Sequence, residues 1–165
     1  MSTYDSFLAW LDGTRLSLLF KVTGWLVPTM QSIHILAIGV VVSGGVILLL
    51  RVTGVNARHV DIAQLNERLI PPIWWALLVL LLTGAILIIT EPGRSMTNPF
   101  FFAKMLCVLV FAVLTRWFQV AVRRQPQRWS EGATLPRALR PVSLFVLVLL
   151  LAIVFCGRWI AYYNV

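Results

Sequence analysis

The sequence predicts an all-α fold: a bundle of four transmembrane helices preceded by a short N-terminal interfacial helix. Three observations carry this. Hydrophobic residues make up 59% of the 165 and charged residues 12%, whereas soluble domains run at roughly 45–50% and 25%. The mean hydropathy is +0.88. The apolar residues are also gathered into four runs, approximately 25–50, 69–90, 99–119 and 141–163, each near the roughly 20 residues that cross a bilayer as a helix. These runs take up more than half of the chain, so residues 1–165 read as one membrane domain.

Residues 1–24 form the interfacial segment. Ser6 is placed to cap a turn with Phe7, Leu8, Trp10 and Leu11 on its apolar face, and Asp12-Gly13 ends it. Thr14 opens a second turn running from Leu16 to Phe20. Such a segment lies along a membrane surface. Met1 to Asp5 lacks the basic start of a secretory signal.

The first span, WLVPTMQSIHILAIGVVVSGGVILLL, carries no formal charge over its 26 residues, and Pro28 is tolerated near its start. Its Gly39 and Ser43 make a small-xxx-small pair suited to close helix packing or a flat ligand. Arg51 to Arg68 reads as a loop in which Asp61 and Gln64 form a capping box. A short surface helix is expected there, leading into Pro71-Pro72 and then the second span. Glu91-Pro92-Gly93-Arg94 turns the chain tightly toward Asn98-Pro99. The third span contains Lys104 and fades into a basic segment. The last contains Arg158 near its end.

Charge fixes the expected orientation. The first and third loops hold Arg51, Arg58, Arg68, Arg123, Arg124, Arg128, Arg137 and Arg140, against Arg15, Lys21 and Arg94 on the other side. The positive-inside rule then puts those two loops in the cytoplasm and both termini in the periplasm. Aromatic belts agree, with Trp25, Phe100, Trp159, Tyr162 and Tyr163 at one boundary and Trp74, Trp75 and Trp117 at the other. The same distribution accounts for the net charge of +8 without nucleic acid as a partner.

An imidazole inside a lipid-spanning helix marks a functional site by default. His34 lies nine residues beyond Trp25, roughly 13 Å below that boundary at 1.5 Å per residue. Lys104 and Arg158 lie roughly 7 Å below the same boundary, and Cys107 and Cys156 roughly 10–12 Å. Met30 and Met105 share the layer. The opposite half of the spans is expected to hold almost no polar side chains.

Several chemistries want that layer. A b-type haem needs an axial imidazole, His34 as its metal ligand, and cations such as Lys104 and Arg158 for its propionates. Ala37, Val41 and Gly45 continue the His34 face and are small enough to admit a macrocycle. The second axial position is left to Met30, Met105, a partner's residue or nothing, because His59 is expected at the far side of the membrane. Copper would draw on His34, Met105, Cys107 and Cys156 as soft donors, although no CxxC or MxxxM spacing is present. A quinone or lipid headgroup could instead bond His34. The remaining reading has no cofactor: His34 bonds a neighbouring helix while Lys104 and Arg158 extend outward to water.

Side-chain catalysis finds no support. The six acids, Asp5, Asp12, Asp61, Glu67, Glu91 and Glu131, are all expected in tails or loops, and no nucleophile–base pair can be assigned. The two cysteines both fall inside apolar runs and imply no secreted disulfide framework.

At His34-Ile35-Leu36, Gly44-Gly45 and Arg51-Val52-Thr53-Gly54, followed by Asn98-Pro99-Phe100 and Lys104, the chain resembles a group of small bacterial four-helix membrane proteins of unassigned function. The resemblance implies a bacterial inner-membrane location and a four-helix bundle, and hands on no site. A looser similarity to membrane haem and copper-handling bundles, including b-type cytochrome subunits, rests on fold type. The expectation is therefore a multi-pass inner-membrane subunit or anchor of a larger assembly, working with other membrane or periplasmic subunits or with copies of itself. It extends to an electron-transfer subunit holding haem b through His34, Lys104 and Arg158. The alternatives are a cofactor-free scaffold and a quinone-, lipid- or copper-binding protein.

Overall fold

A computed structural model describes residues 3–53, 62–124, 139–160 and 162. It is all-helical. Two short helices, α1 (Thr3–Asp12) and α2 (Arg15–Val22), precede α3 (Leu26–Thr53) and α4 (Ile62–Thr90). The one-turn α5 (Pro92–Met96) joins these to α6 (Pro99–Arg124) and α7 (Leu139–Trp159). The four long helices are long and apolar enough to cross a membrane. The third loop's Arg128 and Arg137 lie outside the described residues, as do Arg58, His59 and Asp61.

The bundle is a ring. α3 packs against α4 and α7, and α6 packs against α7 and more lightly against α4. That leaves α3 facing α6 across the diagonal. The core is formed by Ala37, Val41, Ile70, Ile73, Ala76, Phe111, Leu149, Leu150 and Ile153. Close approach in the ring depends on Gly44 and Gly45. A Cβ on Gly44 would stand 2.9 Å from Ile73 Cδ1, and one on Gly45 would stand 2.9 Å from Leu150 Cδ1. The pair singled out by spacing, Gly39 and Ser43, is exposed instead, with nothing within 4 Å of a Cβ on Gly39. Helix contact uses the two adjacent glycines because they point at α4 and α7 in turn.

Several boundaries differ from expectation. Among the described residues, no separate surface helix precedes the second span: α4 begins at Ile62 and runs through Pro71 and Pro72. Interior prolines remove donors and normally break a helix. Here the buried stripe Ile62, Asn66, Ile70, Ile73, Ala76 keeps its phase across them, and that packing holds the helix together. Glu67, expected in a loop, therefore sits exposed on α4. α6 reaches Arg124, beyond 119, while α7 ends at Trp159, short of 163.

At the α1 end, Thr14 caps α2 as its chemistry suggests, its side chain accepting from Ser17 N at 3.3 Å. Ser6, by contrast, lies inside α1, not at its cap. Tyr4 donates to the Met96 carbonyl of α5, and Lys21 pairs with Asp12. These links fold α1 and α2 over the α4–α5 corner. Phe7, Trp10, Leu16, Leu19 and Trp25 remain exposed, an outward apolar surface of the kind an interfacial segment presents.

Asn98 secures the same end. Its Oδ1 accepts from Phe100 N at 2.9 Å, capping α6, and its Nδ2 donates to Ile160 O at 3.3 Å, just beyond α7. One fully buried side chain thus satisfies the start of one helix and the end of another.

Candidate functional site

His34 projects from α3 toward α4, where its Nδ1 lies 2.7 Å from Thr83 Oγ1. The Thr83 hydroxyl has a single proton, and it donates that proton to Val79 O at 2.7 Å, as helix-buried threonines do. The oxygen can then only accept from the ring. That assigns His34 the Nδ1–H tautomer and leaves the Nε2 lone pair free to accept. Lys104 Nζ of α6 faces that nitrogen at 3.3 Å. The result is a directed chain: Lys104 donates to His34, His34 to Thr83, and Thr83 to the α4 backbone.

Two glycines make room. A Cβ on Gly84 would stand 3.6 Å from His34 Cε1, and one on Gly157 would stand 3.5 Å from Lys104 Nζ. Larger side chains at either place would press on the polar pair. Cys156 is buried on α7 in the turn beside Gly157. All four long helices therefore contribute to one level, and His34 with Lys104 spans the diagonal that the backbones leave open. Neither Thr83 nor the two glycines were singled out from the sequence. The visible signal was Thr83 lying seven residues before the end of α4, at the depth of His34.

Of the three site residues expected together, the structure joins two. Arg158 is exposed and turns away, donating to Tyr162 Oη at 2.7 Å with its guanidinium 5.0 Å from that ring's centre. Helix geometry explains this. Arg158 follows the buried Cys156 by two residues, about 200° around the axis at 3.6 residues per turn. Met105 is also exposed, at 43%. Among the described residues, no ion pair joins Lys104 to a carboxylate, and no group of three His, Cys, Asp or Glu could hold a metal.

The fit of a b-type haem can be tested on these positions. The orienting bond from Nδ1–H is what a metal-bound imidazole wants. The rest does not fit. Lys104 occupies the direction of the Nε2 lone pair at 3.3 Å, where a haem iron would have to sit, and a trans pair of nitrogens at roughly 2.0–2.1 Å from a metal would stand about 4 Å apart. The face expected to admit a macrocycle is filled: Ala37 and Val41 pack in the core, and Leu150 lies against Gly45. With Arg158 directed elsewhere, Lys104 alone would remain for the propionates. With Met105 outside and no group of three His, Cys, Asp or Glu together among the described residues, the soft-donor set expected for copper is not assembled.

The half of the bundle away from His34 is not bare of polar groups. Arg51, Asn66, Thr115, Gln119 and Ser143, drawn from all four helices, are buried there. Arg116 donates to Gln119 Oε1 at 2.9 Å. This second polar level escaped the sequence reading because Asn66 was assigned to a loop. Gln119 stood where the third span was expected to fade, yet Phe111, Thr115, Gln119 and Val122 form one buried stripe.

The sequence pattern of a family of unknown function, DUF6644, matches residues 7–163. No curated protein and no solved structure matches the chain, so the comparisons give no similarity to membrane haem or copper proteins.

Proposed function

The chain belongs to DUF6644, and we propose that it is a multi-pass inner-membrane subunit or anchor of a larger assembly, with the His34–Lys104 level as its internal tie. The observation that carries this is that both ring nitrogens of His34 are engaged by side chains from two other helices. An imidazole used in this way fixes the spacing of α3, α4 and α6. It is the arrangement the cofactor-free reading called for, except that Lys104 turns inward. In this reading the work of the protein is to present surfaces to partners. The exposed apolar face of α1 and α2 lies along the periplasmic leaflet in this reading, with both termini on that side and the Arg-rich connections in the cytoplasm.

The electron-transfer version with haem b requires Lys104 to leave Nε2 and a slot to open along Ala37 and Val41. One experiment separates the two. The protein is purified in detergent and its absorption recorded before and after adding haemin, alongside His34→Ala. The tie predicts no Soret band in either sample and loss of assembly in the variant. A Soret band that His34→Ala removes while assembly persists would overturn it.

A further inference from the structure

The half of the bundle away from His34 holds a half-open cavity of about 90 Å³. Its α3 wall extends from Gly45 to Val52, about 10 Å along the helix axis. Phe111, Phe118 and Val146 form part of the opposite walls, and Trp117, 53% exposed, stands at the lipid-facing side. Gly45 keeps the α3 wall flat, since a Cβ there would approach both Leu150 and Phe111. The volume is below the roughly 150 Å³ that encloses a benzene, so the space suits a slender apolar chain better than a ring.

Charge supplies a second, independent observation. Arg116 lies between Thr115 and Trp117, which both line the cavity. Its Nη1 donates to Gln119 Oε1 at 2.9 Å, which draws the guanidinium toward the basic end of α6 and uses one of its several N–H groups. At the α3 wall, Val52 follows Arg51, a cation only 4% exposed. Among the described residues this half holds Arg51, Arg68, Arg116, Arg123 and Arg124 against one carboxylate, Glu67. An apolar slot that opens from lipid beside unbalanced arginines is suited to an anion carried on an apolar chain.

We propose that this cavity takes one acyl chain of an anionic phospholipid, which enters past Trp117 with its phosphate held by Arg116. The second chain stays in the bilayer, which is why one side of the cavity is open. A zwitterionic lipid would fill the walls equally well, but its own cation would oppose the arginines. The site concerns binding alone, goes beyond the anchor reading and is independent of the His34 level.

The test uses the full-length protein, delipidated in detergent, and a phosphatidylglycerol carrying a diazirine midway along one acyl chain. Irradiation is expected to place adducts on Phe111, Phe118 and Val146. Unlabelled phosphatidylglycerol should compete about fivefold better than phosphatidylcholine with the same chains, the worth of one arginine near the membrane surface. Arg116→Gln should erase that preference, and Val146→Trp, which fills the cavity, should remove the adducts. Adducts spread over outward residues such as Leu106 and Leu151, equal competition by the two lipids, or a preference unchanged in Arg116→Gln would overturn the assignment. Should Val146→Trp fail to fold, the adduct positions and the competition on the unaltered chain still decide.

Discussion

Thr83→Val is the sharpest probe of the His34 level because it changes an oxygen for a methyl at nearly constant volume. It removes the acceptor 2.7 Å from His34 Nδ1, and the Val79 carbonyl keeps its place in the α4 backbone. Two effects set the magnitude. An interhelical hydrogen bond in a membrane bundle is worth on average ~0.6 kcal/mol and at most ~1.7. Stranding a buried donor costs about 1–3 kcal/mol, toward the lower end here because His34 is only half-buried. The expected loss is about 1–2 kcal/mol, a factor of roughly 5–30 in the folding equilibrium. Thr90→Val is the control. Thr90 is as buried as Thr83, but its hydroxyl bonds only the Ile86 carbonyl of its own helix, at 2.8 Å. Reversible unfolding in bicelles, followed by steric trapping, measures both. Equal losses in the two variants would refute the cross-helix bond. So would a ¹⁵N spectrum of the unaltered protein showing the proton on His34 Nε2.

Other outcomes follow from the packing. Asn98→Ala removes an N-cap and the bond to Ile160 O together, and should cost about 1–2 kcal/mol in the same assay. Gly39→Ala meets nothing within 4 Å and should stabilise α3 by roughly 0.5–1 kcal/mol. Gly44→Leu drives a branched side chain into Ile73 and should destabilise by roughly 1–3 kcal/mol or more. Arg158→Leu should leave the His34 tautomer and its ¹⁵N shifts unchanged, because Arg158 bonds Tyr162 instead.

Much of this architecture is legible from residue order. The four spans follow from apolar length, and the placing of His34 and Lys104 in the same half of the bundle follows from helix rise alone. Depth arithmetic carries no azimuth, however, which is why Arg158 was grouped with them. Counting 100° per residue from the apolar stripe Leu149, Leu150, Ile153, Cys156 would have turned it outward. Thr83 was silent for a different reason. A threonine that bonds its own helix is common in membrane spans, and its spare lone pair shows only when a donor is seen to reach it. Asn66 was hidden by Pro71-Pro72, which argued for a break that buried packing overrides.

The Asn98 bridge bears on the order in which the bundle closes. Ile160 follows Asn98 by 62 residues, so α6 is threaded into lipid long before the carbonyl that its capping residue serves has been synthesised. Until α7 arrives, the Nδ2 of Asn98 must face headgroups or water at the membrane edge. Arrival of the final helix withdraws it, which makes this bond a latch that only a complete insertion can shut.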